Sequence, residues 1–211
     1  MLNVFISPML KKNNYKKYEI VNNLELINYF SSLNFFCSSS FSSNTKYINQ
    51  ISKKNDLLVL SGGGDISYIN KNSINITRDN FEKKLVKSFI KEKKPIITIC
   101  RGFQLVAVLM GANIKKIKNH VRVNHKINII KKNKFINFKS LNTNSYHNFG
   151  ISNLPKEFEI SGTTKDGCIE ISINNNKRLL CFMFHPERKN KSRLLIKKTI
   201  VNFINEFVRK N

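Results

Sequence analysis

Short apolar runs of β type alternate with amphipathic helical segments along the 211 residues, which predicts a three-layer α/β domain with a mainly parallel central sheet. Two further observations support that class. The three segments richest in chemical side chains each follow an apolar run, as expected where ligands bind at the carboxyl ends of parallel strands. The length suits one domain with a substantial core, so residues 1–211 are read as a single unit.

Asn3 to Ser7 reads as the first strand, ended by Pro8. An amphipathic helix near 23–33 and strands near 35–38 and 57–60 follow, with Cys37-Ser38-Ser39-Ser40 opening a serine-rich connection. Asp79 to Lys93 reads as a helix. Asp79 and Glu82 stand in capping-box spacing, Phe81, Leu85 and Phe89 form its buried stripe, and Pro95 ends it. Ile96, Ile97 and Ile99 make a β-branched strand, after which Leu105, Val106, Leu109 and Met110 recur at helical spacing until Gly111. Runs at 126–130, 158–163 and 168–173 alternate like strands, with Asp166-Gly167 as a hairpin turn. A last apolar strand spans 179–184. Ser192 is placed to cap a final helix with Ile196, Ile200, Phe203 and Phe207 on one face. Residues 7 to 55 carry no functional motif.

Lysine and arginine number 37 against 13 acidic residues, a formal charge of +24. Such a balance ordinarily suggests a nucleic-acid partner. Here the lysines are spread along the chain, no nucleic-acid module appears, and aromatics such as Phe81 and Phe89 fall on helix core faces, so none is expected. The charge instead favours a polyanionic small substrate. No apolar run approaches a membrane span, and no basic stretch precedes the first apolar residues, so neither a membrane segment nor a signal peptide is expected. Cys37, Cys100, Cys168 and Cys181 show no C-x-x-C pairing, which argues against a zinc site or a disulfide framework and for a reduced, cytoplasmic setting. His120 and His125, five apart, lack further support as metal ligands.

Three segments carry chemistry. Cys100 stands where the Ile96–Ile99 run meets the helical pattern. A thiol at such a corner is lifted from the sheet beside the positive end of a helix, the geometry of a nucleophile elbow with cysteine in place of serine. Gly102 leaves room for the turn. A small buried core cysteine is the competing reading of that segment alone. His185-Pro186-Glu187 follows the 179–184 run: a histidine there can act as base toward a thiol on a neighbouring strand, and a carboxylate two residues on can fix its tautomer. A lone histidine near a strand end is more often structural. Ser61-Gly62-Gly63-Gly64-Asp65 follows the third apolar run. It lacks the Lys-Ser/Thr and G-x-G-x-x-G patterns of phosphate loops, and fits better as a turn that donates an amide to a developing oxyanion.

Leu60 to Asp65, Ile99-Cys100-Arg101-Gly102-Phe103-Gln104, Asn144-Ser145-Tyr146-His147, Asp166-Gly167-Cys168-Ile169-Glu170 and His185-Pro186-Glu187 occur in the order found in class I glutamine amidotransferase-like hydrolases. The chain resembles their γ-glutamyl hydrolase branch over about residues 56 to 190. Thr98 departs from the usual first glycine of the elbow, and Phe184 from the usual tryptophan before His185. The resemblance implies a flavodoxin-like fold and cysteine-dependent hydrolysis of a γ-glutamyl amide, with Cys100 as nucleophile, His185 as base and acid, and Glu187 orienting His185. It places the backbone amides of Gly63 and Arg101 in an oxyanion hole. Gln104, Asn144, Ser145, Tyr146 and His147 would hold the glutamyl group. No metal or cofactor is expected, since a thiolate supplies the nucleophilicity.

The stretches Tyr146 to Ile151 and His185 to Arg188 further resemble hydrolases of γ-glutamyl nucleotide conjugates. They imply a glutamine joined through its side-chain amide to cytidine diphosphate, a step of capsular phosphoramidate biosynthesis. Arg101, Arg122 and Arg188 are then candidates to hold the diphosphate, a solvated surface arginine being the competing reading of each. The remaining alternatives are a general γ-glutamyl-amine hydrolase, a glutaminase subunit feeding ammonia to a synthase, and a nonenzymatic basic binding protein. Oligomeric state is not readable from the sequence.

Overall fold

The computed structural model describes residues 1–208. In chain order its strands are Leu2–Ile6 (β1), Met9–Lys12 (β2), Tyr18–Val21 (β3), Phe35–Ser38 (β4), Leu57–Leu60 (β5), Ile96–Ile99 (β6), Ile114–Lys116 (β7), Val121–Ile129 (β8), Ser140–Tyr146 (β9), Phe149–Ile151 (β10), Glu159–Thr163 (β11), Ile169–Asn174 (β12) and Leu179–Phe182 (β13). The helices are Leu24–Ser31 (α1), Thr45–Lys54 (α2), Ser73–Lys91 (α3), Arg101–Leu109 (α4) and Arg193–Val208 (α5).

One sheet of nine strands runs in the order β4-β1-β5-β6-β13-β12-β11-β8-β9. From β4 to β13 every pairing is parallel, which is the parallel centre the alternation predicts. Beyond β13 the ladders turn antiparallel. The expected turn at Asp166-Gly167 joins β11 to β12, with Gly167 at φ +82 where a side chain would be strained.

Strands buried on both faces read as continuous apolar runs, since alternate residues feed opposite cores. Val4, Val59, Ile97, Ile99, Leu180 and Phe182 pack with Phe30 of α1 and Ile200 and Phe203 of α5. Phe5, Leu58, Leu60, Ile96 and Leu179 meet Ile48 of α2, Phe81, Leu85 and Phe89 of α3, and Phe103 of α4. The helices therefore cover both faces and give the three layers. Thr98 lies mid-sheet opposite Leu60 and Cys181, so the missing family glycine leaves β6 regular.

Three expectations are corrected. The helix read from Asp79 starts at Ser73, because Asn72 caps it, its side chain accepting from the Asn75 amide. Asp79 and Glu82 lie inside that helix, 1% and 0% exposed, and serve as ion partners rather than as a capping box. The Oγ of Ser192 does not cap α5 but accepts from the Asn142 amide at 2.8 Å. Within residues 7 to 55 lie α2 and the β2–β3 hairpin. Asn44 caps α2 and Asn23 caps α1, in a chain where asparagine is too common to signal a cap by itself.

Candidate active site

Cys100 joins β6 to α4 at φ 50, ψ −104. A non-glycine residue in this region costs about 1–3 kcal/mol and persists only where its surroundings impose it. Here the Cys100 amide donates to the Phe182 carbonyl at 2.8 Å, and the Cys100 carbonyl accepts from Gln104 N–H at 3.0 Å as α4 begins. Gly102 lets α4 approach β5, since a Cβ there would sit 2.7 Å from both the Cβ and the carbonyl oxygen of Leu60. Cys37, Cys168 and Cys181 are in other surroundings: burial pushes all three thiols up, that of Cys181 to about 12.

His185 follows β13 and is 3% exposed. Its amide donates to Asn144 Oδ1 at 3.0 Å, and Asn144 Nδ2 donates to its carbonyl at 2.8 Å. Its Nδ1 lies 2.7 Å from Glu187 Oε1. Burial alone would lower the imidazole pKa, but its contacts with Cys100 and then Glu187 outweigh that and raise it to about 9. Gly62 passes beside the pair: a Cβ there would lie 2.6 Å from His185 Cε1, 3.3 Å from Nε2 and 3.4 Å from Cys100 Cβ.

The glycine turn is aimed by Arg78, for which the sequence leaves structural capping and contact with the leaving group both open. Arg78 donates to the carbonyls of Ser61, Gly62 and Gly63 at 3.0, 3.2 and 2.7 Å. In a trans peptide the carbonyl and the next amide point in opposite directions. Holding the Gly62 carbonyl therefore directs the Gly63 N–H away from Arg78. Glu82 accepts from Arg78 Nε at 2.9 Å and also from Arg101, whose second terminal nitrogen reaches Asp79. Burial alone would raise the Glu82 carboxyl, but Arg101 and Arg78 hold it below the usual range.

A cleft of about 210 Å³ opens over Cys100, with Gly63, Gln104, Tyr146, His147, His185 and Arg188 in its lining. The Arg188 guanidinium stacks 4.3 Å above the Tyr146 ring. Gln104 Nε2 donates to the Phe149 carbonyl at 2.9 Å. Several residues expected to meet substrate stand elsewhere. Asn144 braces His185, and Ser145 Oγ donates to the His120 carbonyl at 2.6 Å. The Arg101 side chain is 1% exposed, held by Asp79, Glu82 and the Asp65 carbonyl, so it offers no cation to a diphosphate. Arg122 is exposed and outside the cleft lining.

A cysteine elbow, a strand-end histidine and a pinned glycine turn on a flavodoxin-like sheet define a class I glutamine amidotransferase-like protein. The chain belongs to the Peptidase C26 family, which it matches over residues 10–187. Its fold is shared with a protein of Thermoplasma acidophilum named for a component of GMP synthase, at TM-score 0.72 and 18% identity over 100% of this chain and 96% of that one. It is shared also with a glutamine amidotransferase of Thermotoga maritima, at TM-score 0.66 and 18% identity over 99% and 85%. In sequence it is similar to the γ-glutamyl-CDP-amidate hydrolase of Campylobacter jejuni, 33% identical over 133 residues. That match covers 63% of this chain and 62% of the relative's length. Among the described residues no helix is long and apolar enough to cross a membrane.

Proposed function

We propose that the chain hydrolyses γ-glutamyl amides through a covalent thioester on Cys100. The observation that carries this reading is the strained elbow thiol placed beside a buried imidazole, both flanking Gly62, with Nδ1 of that imidazole on Glu187. His185 takes the thiol proton. The thiolate adds to the γ-carbonyl, and the oxyanion meets the backbone amides of Gly63 and Arg101 at the start of α4. His185 then gives its proton to the leaving nitrogen as the C–N bond breaks. Water, deprotonated by the same imidazole, cleaves the thioester, releasing glutamate and restoring the thiol. Gln104, Tyr146 and His147 border the glutamyl half, whereas Asn144 acts through His185 by fixing its backbone.

The finer reading is a leaving group that carries a nucleoside diphosphate, as in the substrate named for the Campylobacter relative. Arg188 supports it: the guanidinium lies at the cleft, stacked on Tyr146, with a planar fork suited to phosphate oxygens. A capsular pathway is the setting that reading suggests.

The test is a panel of γ-glutamyl compounds assayed for glutamate release. We expect the cytidine diphosphate conjugate to exceed γ-glutamyl-γ-aminobutyrate by well over tenfold, and Cys100→Ala to release no glutamate from either while keeping its circular dichroism. Equal turnover would leave a general γ-glutamyl hydrolase. Rapid hydrolysis of free glutamine would shift the reading to an ammonia-supplying component of a synthase. Activity in the alanine variant would end the covalent mechanism.

A further inference from the structure

Behind the cleft the antiparallel half of the sheet collects polar groups that no motif joins. His120 stands just before β8 and His125 within it, His147 just after β9, and Glu170 in β12. Glu170 is 0% exposed, and neither of its carboxylate oxygens has a hydrogen-bond partner. Three imidazole nitrogens face it: His120 Nδ1 at 3.6 Å and His147 Nε2 at 3.4 Å from Oε1, and His125 Nε2 at 3.6 Å from Oε2. Each of these nitrogens is likewise buried without a hydrogen-bond partner.

The outer contacts decide what those nitrogens can do. His147 Nδ1 lies 3.1 Å from the Phe149 carbonyl, which can only accept, so the ring proton belongs on Nδ1. His120 Nε2 lies 2.9 Å from an Asp166 carboxylate oxygen, which places the proton of a neutral ring on Nε2. In both neutral rings the nitrogen facing Glu170 then carries a lone pair, set against an acceptor. A buried carboxylate surrounded by lone pairs is a costly arrangement unless a cation lies among them. Ligating histidines characteristically donate their other N–H to a carboxylate or a backbone carbonyl, which are the two partners found.

The spacing agrees. Separations of 3.4 to 3.6 Å are long for hydrogen bonds. They are close to the roughly 3.3–3.4 Å that separates two donors on one metal ion with bonds of about 2.0–2.1 Å. The donor atoms of His120, His125 and Glu170 all lie within 4.8 Å of one another.

We infer that His120, His125 and Glu170 form a binding site for one divalent transition metal ion of the zinc class, set behind the cleft wall, with His147 Nε2 against the same carboxylate. Imidazole with carboxylate suits zinc. The ion ties the start of β8 to β12, and through Glu170 it backs the His147 ring. It takes no part in the thiol chemistry.

The test uses untagged full-length protein carrying Cys100→Ala, so that the cleft thiol cannot ligate. Stripped with a chelator and titrated with zinc, it should take up close to one ion per chain in competition with a micromolar-affinity indicator, and its melting temperature should rise. Glu170→Gln and His125→Gln should each cut zinc uptake at least tenfold and abolish the rise. The His125 side chain keeps 14% of its surface exposed, more than Glu170 does, so its variant remains informative if Glu170→Gln fails to fold. Cobalt in place of zinc should give tetrahedral d–d bands that both variants lose. Stripped protein that takes up no zinc at micromolar concentration overturns the inference, because protonated imidazoles then balance Glu170. Uptake unchanged in His125→Gln overturns it equally, because the ion then sits elsewhere.

Discussion

Gly62→Ala probes the geometry of the reacting pair directly. Gly62 is not among the glycines with positive φ, so alanine is acceptable to the backbone and should stabilise slightly through the unfolded chain. Its methyl group, however, would sit 2.6 Å from His185 Cε1. Restoring ordinary contact near 3.4 Å needs a retreat of about 0.8 Å, and neither side is free to give. The imidazole is fixed by Asn144 through its backbone and by Glu187 through Nδ1. The glycine turn is fixed by three carbonyls on Arg78. A misplacement of roughly 1 Å in a reacting group costs on the order of 10²-fold in rate, about 2.7 kcal/mol of transition-state stabilisation. The expected result is a kcat for glutamate release lowered about 10²-fold, with the circular dichroism of a folded protein and a melting temperature several degrees lower, since a clash that neither side can relieve is also overpacking of about 1–3 kcal/mol. A folded Gly62→Ala protein retaining more than a third of parental kcat would refute the placement of His185 as the proton carrier beside Cys100.

Three further outcomes are expected. By NMR the His185 imidazole should titrate near 9 in the parent. Cys100→Ala removes the leading contribution that raises it, so the midpoint should fall. Deprotonating the imidazole dissolves its pairing with the thiolate, so parental activity should decline as pH rises through about 9; a midpoint unmoved in Cys100→Ala would show that the two groups do not interact. Arg188→Gln should lower turnover of the cytidine diphosphate conjugate by roughly 10–100-fold, the worth of a charge-assisted hydrogen bond of about 1.5–3 kcal/mol, while leaving γ-glutamyl-γ-aminobutyrate within about twofold. Equal losses on both substrates would assign Arg188 to holding Tyr146 instead. Arg101→Met leaves Asp79 and Glu82 buried with one cation fewer, and urea unfolding at pH 7 should show a loss of about 3–5 kcal/mol. Without that guanidinium burial raises the Glu82 carboxyl, which Arg101 and Arg78 otherwise hold below the usual range, so the deficit should shrink as pH falls; a deficit constant with pH would contradict the charge argument.

The parallel half of the fold is legible in the sequence because a strand buried on both faces must be almost wholly apolar: β5 and β13 are, and β6 is interrupted only by Thr98. The reacting residues are legible for the same reason, since Cys100, His185 and the glycine turn each follow such a strand. Long-range polar pairing is not. Arg101 meets Asp79 and Glu82 only when α3 and α4 pack together, so along the chain Asp79 and Glu82 look like a cap although they bind arginine. Asn144 keeps its motif position but not its expected role, because its side chain turns to the His185 backbone. The histidines at 120, 125 and 147 look isolated for the same reason: the ladders of β8, β9, β11 and β12 bring them to Glu170, and no spacing along the chain records it.

That pattern also bears on the excess of positive charge. Of the 13 acidic residues, Asp79, Glu82 and Glu170 are at most 1% exposed, and the Glu187 side chain is covered as well. Four acids are thus drawn inward against two buried arginines, Arg78 and Arg101, so the solvent-facing surface is slightly more cationic than composition alone conveys. Such a surface attracts any polyanion, but its reach is roughly 8 Å at physiological salt, so it speeds encounter without choosing among ligands. Selectivity must come from groups within the cleft, and there Arg188 is the arginine in its lining. Salt should therefore slow capture of a nucleotide conjugate in the parent and in Arg188→Gln alike, whereas the preference for that conjugate should vanish only in the variant. A preference that survives the loss of Arg188 and disappears with salt would place recognition on the outer surface instead.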